Sequence, residues 1–297
     1  RRQAAWLRRR LRLTPSCAPA DGGRAVRVYV SADIEGVAGV VSPLQCQPGN
    51  AEYERARRLM TQEVNAVIEG LAEAGATEIV VNDSHGPMTN LLPDELHAAA
   101  DLILGKPKPM NMAAGLTGDF DLMFMVGHHS MAGRGGVLAH TTNGFAFREV
   151  RVNGRPCGEP AIYGLYAGEL GVPVGLISGD DVTRAENAAL FPQAGFVTVK
   201  QALGNRAARQ IPVARARAAL KAAAIRAVQE APKNAPVRWQ GPFAAEFVMN
   251  GAALADQMAI LPPARRVDAL TVGFDAATMA EVIGWMTALS AMSFALR

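Results

Sequence analysis

Three consecutive stretches near the start of this chain constrain its fold more than anything else in it. Residues 26 to 31 read Val-Arg-Val-Tyr-Val-Ser, an alternation with the period of two that a strand imposes. Residues 50 to 74 then place Leu59, Met60, Val64, Val67, Ile68 and Leu71 at helical spacing, and Gly75 follows as a helix-ending glycine does. Residues 77 to 82, Thr-Glu-Ile-Val-Val-Asn, read as a second strand. Strand, long helix, strand is the rhythm of a parallel sheet with covering helices.

The rhythm continues. Strand patterns recur at residues 102 to 104, 120 to 126, 172 to 177 and 196 to 200, with helical patterns at 160 to 170, from Asp180 with capping-box spacing between Thr183 and Glu186, and at 213 to 230. One interruption, residues 149 to 157, reads as a hairpin turning at Asn153-Gly154. Strand patterns at 244 to 249 and 267 to 273 and a closing helix from Ala276 complete the chain. The expectation is an α/β fold: a mostly parallel sheet flanked by helices, with a smaller C-terminal α/β part. The proline-rich residues 231 to 242 suggest the boundary, giving an N-terminal extension at 1–24, a metal-binding catalytic α/β domain at 25–235 and the smaller part at 236–297.

Charge is unevenly placed. Six of the 30 basic residues are arginines within the first twelve positions; without them 24 basic residues face 27 acidic ones. The body is thus mildly acidic, which argues against nucleic acid as a partner. The Arg-rich segment reads as a disordered extension or start-site artefact rather than a targeting address, since no apolar stretch of secretory-signal length follows it. No run approaches the roughly 18 uninterrupted apolar residues of a membrane span, so no membrane partner is expected. Cys17, Cys46 and Cys157 have no paired spacing, which points to a reducing, cytoplasmic compartment and away from a cysteine metal site.

Polar residues collect where strands end. Asp33 and Glu35 follow the first strand, and on an extended backbone they face the same way. Such a pair needs a cation or proton between its carboxylates when desolvated; in water it is simply a solvated strand end. His85 follows the second strand, within Asn82-Asp83-Ser84-His85, and His128 and His129 follow a later one. In parallel sheets the carboxyl ends of strands share one edge, where ligands bind. Carboxylate and imidazole together suit zinc or a similar ion, and with Glu159 the set exceeds what one tetrahedral ion takes and suits two. Each piece has an ordinary reading as well. His85 can be a hydrogen-bonding loop residue, Glu159 the acidic first turn of a helix, and Asp180 and Asp181 helix caps. Adjacent His128 and His129 diverge on extended backbone, so one of them at most is expected to ligate. His97 reads as surface.

Five segments then match a known family in order. Ser31-Ala32-Asp33-Ile34-Glu35-Gly36, Asn82-Asp83-Ser84-His85, Gly127-His128-His129, Gly136-Val137-Leu138-Ala139-His140 and Arg155-Pro156-Cys157-Gly158-Glu159 resemble the zinc D-aminopeptidases of the DppA type, peptidase family M55. The resemblance implies a binuclear zinc aminopeptidase, with two Zn2+ per subunit, acting on short peptides with an N-terminal D-residue such as D-Ala-D-Ala. It implies Asp33, Glu35, His85, His129 and Glu159 as metal ligands, Asp33 bridging, and His140 as a catalytic histidine outside the ligand set. It also implies a ring-shaped homo-oligomer, a decamer. The alternative is a phosphoesterase or amidase using the same site, for which Gly133-Arg134-Gly135-Gly136 is the candidate phosphate cradle. A nucleotide-binding module and a serine hydrolase are disfavoured, because neither Gly-x-Gly-x-x-Gly after the first strand nor Gly-x-Ser-x-Gly is present.

Overall fold

The computed structural model describes residues 25–297; the Arg-rich segment and Cys17 lie outside the described residues. In chain order the elements are β1 (Val26–Ala32), α1 (Ala51–Glu73), β2 (Ala76–Asp83), β3 (Asp101–Ile103), β4 (Leu122–Val126), β5 (Phe147–Val152) and β6 (Arg155–Pro156). These are followed by α2 (Glu159–Leu170), β7 (Val174–Asp180), α3 (Asp181–Asn187), β8 (Gly195–Gly204), β9 (Ala207–Gln210) and α4 (Val213–Glu230). Finally come β10 (Phe243–Met249), α5 (Ala252–Met258), β11 (Arg265–Arg266), β12 (Thr271–Ala276) and α6 (Met279–Ser293).

The main sheet has the order β3-β2-β1-β4-β7-β8-β9, parallel except for the edge strand β9. This is the α/β fold expected from the sequence. From β1 the chain winds outward through β2 and β3, then returns to place β4 on the other side of β1. The β1/β4 junction is therefore the switch point, where a crevice opens beyond the strand ends.

Alternation along the strands sorts the core into two layers. Val28, Val30 and Ala32 of β1 and Leu122, Phe124 and Val126 of β4 pack toward α1 and α4. Tyr29, Met123 and Met125 face the other way, into a second core shared with α2, α6 and the second sheet. That second sheet, β11-β12-β10-β5-β6, pairs antiparallel throughout and draws strands from both sides of the proline-rich residues 231 to 242. The β5/β6 hairpin turns at Asn153 and Gly154, both left-handed at φ 51° and 72°, as an Asn-Gly hairpin turn requires. Met279–Leu296 is the one stretch among the described residues apolar and long enough, by composition, to span a membrane. Here Val282, Ile283, Met286 and Leu289 of this helix are buried in the core it shares with the second sheet.

Three elements are absent from the sequence reading: β9, α5 and β11. The expected capping box at Thr183 and Glu186 is also replaced. Asp180 caps α3 instead, accepting from Thr183 N at 2.7 Å, while Glu186 accepts from Met131 N at 3.0 Å.

Candidate metal centre

The end of β1 is locked against the end of β4. Asp33 N donates to Val126 O at 2.8 Å and Gly36 N to Gly127 O at 2.7 Å. The approach is too close for side chains: a Cβ on Gly36 would collide with the carbonyl of His128, and one on Gly127 with the carbonyl of Asp33. Gly127 also sits at φ 73°, a left-handed conformation that glycine adopts without strain. These two glycines bring Asp33 and Glu35 alongside His128 and His129.

Beyond the junction the chain of residues 35 to 40 is held by two buried ionisable side chains. Lys200 Nζ donates to the carbonyls of Glu35 (2.5 Å), Val37 (3.0 Å) and Val40 (2.6 Å), and Glu63 Oε1 accepts from Ala38 N at 2.9 Å. Burial pushes the Glu63 carboxyl up to about 7 and the Lys200 ammonium down to about 8.

The sequence-predicted residues converge here. His85 Nδ1 lies 2.8 Å from Glu35 Oε2 and 3.3 Å from Asp33 Oδ1. His129 Nε2 lies 3.5 Å from Asp33 Oδ2 and 3.4 Å from Glu159 Oε2. The far nitrogen of each ring is fixed by a main-chain carbonyl: His85 Nε2 by Cys46 O at 2.8 Å, His129 Nδ1 by Ser130 O at 2.9 Å. A carbonyl only accepts, so those nitrogens carry the protons, and each neutral ring turns its lone pair toward carboxylates. Lone pair against carboxylate is repulsive unless a cation or a proton lies between them.

The electrostatics agree. Burial alone would lower both histidines, but Glu35 and Asp33 raise His85 well above its ordinary value, and Glu159 and Asp33 carry His129 up to about 10. Burial and the neighbouring Glu35 raise Asp33 to about 7, whereas His129 overcomes burial and holds Glu159 down to about 2. The site stabilises positive charge at both histidine nitrogens.

A metal ion fits this donor set. Glu35 Oε2 and His129 Nε2 are buried without a hydrogen-bond partner. Asp33, Glu35 and His85 offer ligand atoms within 4.8 Å of one another, and so do Glu35, His129 and His140. A third such group joins Asp33 and Glu159 to His128, whose fully buried ring has neither nitrogen hydrogen-bonded and is pushed by burial down to about 4. The structure thus brings both adjacent histidines to the carboxylates. Glu159 is positioned as the first residue of α2, its Oε1 accepting from Thr142 N at 2.5 Å.

His140 stacks on His129, ring centroids 4.1 Å apart and planes 11° from parallel. Its Nδ1 donates to Leu138 O at 2.9 Å, which leaves Nε2 as the free ring nitrogen. Burial and the neighbouring His129 lower its pKa, which favours the neutral ring. The cluster opens onto a cavity of about 480 Å3 lined by Glu35, Pro43, Cys46, His85, Leu138, His140 and Arg206, among others. The remaining candidates have structural roles. Asp181 accepts from Ala202 N at 2.8 Å, Asp180 from Val137 N at 2.7 Å, and Arg134 lies 3.8 Å from Glu186. His97 is half-buried, its backbone N–H donated to Asn65.

A doubly wound sheet carrying buried carboxylates and imidazoles at its switch point defines a metallohydrolase. The model of the D-aminopeptidase family, peptidase family M55, matches residues 26–288, and the chain belongs to that family of hydrolases. The D-aminopeptidase of Bacillus subtilis (strain 168) is 37% identical over 191 residues, spanning 64% of this chain and 69% of that protein. A solved structure, the Zn-dependent D-aminopeptidase DppA from Bacillus subtilis, a self-compartmentalizing protease, is similar with a TM-score of 0.88 at 30% identity, covering 91% of this chain and 98% of that one.

Proposed function

We propose that this protein is a binuclear zinc aminopeptidase that removes an N-terminal D-residue from short peptides of the D-Ala-D-Ala type. The observation that carries the two-ion reading is the divided carboxylate of Asp33. Its Oδ1 faces His85 and its Oδ2 faces His129, so one carboxylate serves two histidine centres. Asp33 would bridge, with Glu35 and His85 on one side and His129 and Glu159 on the other. Membership of the family and the likeness to a Zn-dependent relative support zinc as the metal.

When bound, a zinc pair supplies an acidified water and polarises a carbonyl. The chain's own residues do the rest. His140, its Nδ1 proton held by Leu138 O, presents Nε2 to take a proton and return it to the leaving amine. The phosphoesterase alternative is less well supported: Arg134 of the candidate cradle lies 3.8 Å from Glu186, and the N–H of Val137, the next residue after it, is donated to Asp180. A ring-shaped decamer and a cytoplasmic location belong to the same reading, the first supported by the self-compartmentalizing relative.

The test is metal content per chain together with D-Ala release from D-Ala-D-Ala, with L-Ala-L-Ala as control. Two zinc ions per chain and cleavage of the D-peptide alone are expected. Metal with neither peptide cleaved would overturn the substrate, and absence of bound metal would overturn the site.

A further inference from the structure

The one lysine or arginine lining the cavity beside Glu35, His85 and His140 is Arg206. It stands in the turn Gly204-Asn205-Arg206-Ala207 between β8 and β9, where Gly204 pairs with Ala207. The turn is tied to the loop that carries His140: Leu138 N donates to Asn205 O at 2.8 Å, and Asn205 Nδ2 to Gly136 O at 3.4 Å. Its backbone is therefore placed with respect to the site. The side chain is exposed and makes no hydrogen bond or ion pair with any described residue. Other exposed arginines, Arg148 and Arg209 among them, also lack an ion pair; what sets Arg206 apart is its place in the lining of the cavity.

A short peptide has two charged ends, an α-ammonium and an α-carboxylate. The proposed zinc centre would take the first as its neutral amine, and a planar guanidinium with five donors suits the second, which it binds in two parallel hydrogen bonds. We propose that Arg206 is a specificity-determining residue that holds the free C-terminal carboxylate of the substrate. The inference rests on the aminopeptidase reading and deepens it. Both termini are then read within one cavity of about 480 Å3. Each added residue lengthens an extended chain by about 3.4 Å, so a side chain lining the same cavity suits short peptides with an unblocked C-terminus.

The experiment uses the zinc-loaded full chain with three substrates: D-Ala-D-Ala, its C-terminal amide, and D-alanine p-nitroanilide, which has no carboxylate. The wild type is expected to favour the free acid over the amide in kcat/KM by roughly 10- to 100-fold, the range for a hydrogen bond to a charged group. In Arg206→Met that ratio should collapse toward one, mainly through a higher KM for the acid, and Arg206→Lys should restore part of it. Equal use of acid and amide by the wild type, or a ratio preserved in Arg206→Met, would overturn the proposal. Failure of the wild type on all three substrates would instead overturn the aminopeptidase reading and this inference with it, whereas turnover of the anilide with no acid preference would overturn the inference alone.

Discussion

The ammonium of Lys200 is hydrogen-bonded to the main-chain carbonyl of Glu35, the residue whose carboxylate faces His85. A buried cation midway along β8 thus sets the path of the loop that carries a proposed metal ligand. Lys200→Met would leave the carbonyls of Glu35, Val37 and Val40 without their donor. We expect a loss of roughly 3 kcal/mol in urea unfolding and a lower zinc content at limiting metal, because unsatisfied buried carbonyls are costly. A destabilised variant with full zinc content would show that Lys200 supports the fold without positioning Glu35.

Glu63 gives a pH signature. Its folded value, about 7, lies above its ordinary 4.5, so its contribution to stability is fully present below pH 4.5 and is lost as pH rises through 7. Glu63→Gln, which keeps an acceptor for Ala38 N, should therefore gain stability relative to the wild type between pH 4.5 and 7, by about 3 kcal/mol at most. A flat difference across that window would contradict the assignment.

Metal uptake should release protons. His85 and His129 are raised by Glu35, Asp33 and Glu159, so the ion competes with protons for their lone pairs. Zinc affinity, measured by chelator competition from pH 6 to 9, is expected to rise with pH, up to about tenfold per unit for each proton displaced. Affinity independent of pH would place the ion elsewhere.

Ligand and catalytic roles separate by substitution. Asp33→Ala or His129→Ala should lose metal and activity together, whereas His140→Ala should keep its metal and lose about 100-fold or more in turnover. Wild-type turnover in His140→Ala would remove that residue from the mechanism.

Gly36→Ala tests the junction of β1 and β4. The added methyl must displace the carbonyl of His128, and we expect about 3 kcal/mol of destabilisation by thermal or urea unfolding.

Much of this arrangement was legible in the sequence because parallel strands announce themselves and put their carboxyl ends on one edge. Asp33, Glu35, His85 and His129 each follow a strand pattern, so their convergence follows from topology. Glu63 and Lys200 were not singled out, since a charged residue in a helix or at a strand end reads as solvated. A signal existed for Glu63: it lies three residues after Met60 and four before Val67, on the apolar stripe of α1, where a carboxylate needs a partner. The second sheet was hidden for a different reason. β10 pairs with β5 across about ninety residues of intervening chain, and local patterns carry no register for such a pairing. His128 escaped because an extended backbone would turn it away from His129, whereas the structure groups its ring with Asp33 and Glu159.

The three ring nitrogens that fix His85, His129 and His140 all donate to main-chain oxygens, of Cys46, Ser130 and Leu138. A side-chain acceptor in those places would be open to loss by a single codon change and to titration. A peptide carbonyl is exposed to neither, whatever side chain its residue bears. The orientation of the imidazoles is therefore sheltered from point mutation at their supporting residues, and drift in this site must come through insertions, deletions or prolines that redirect the chain itself.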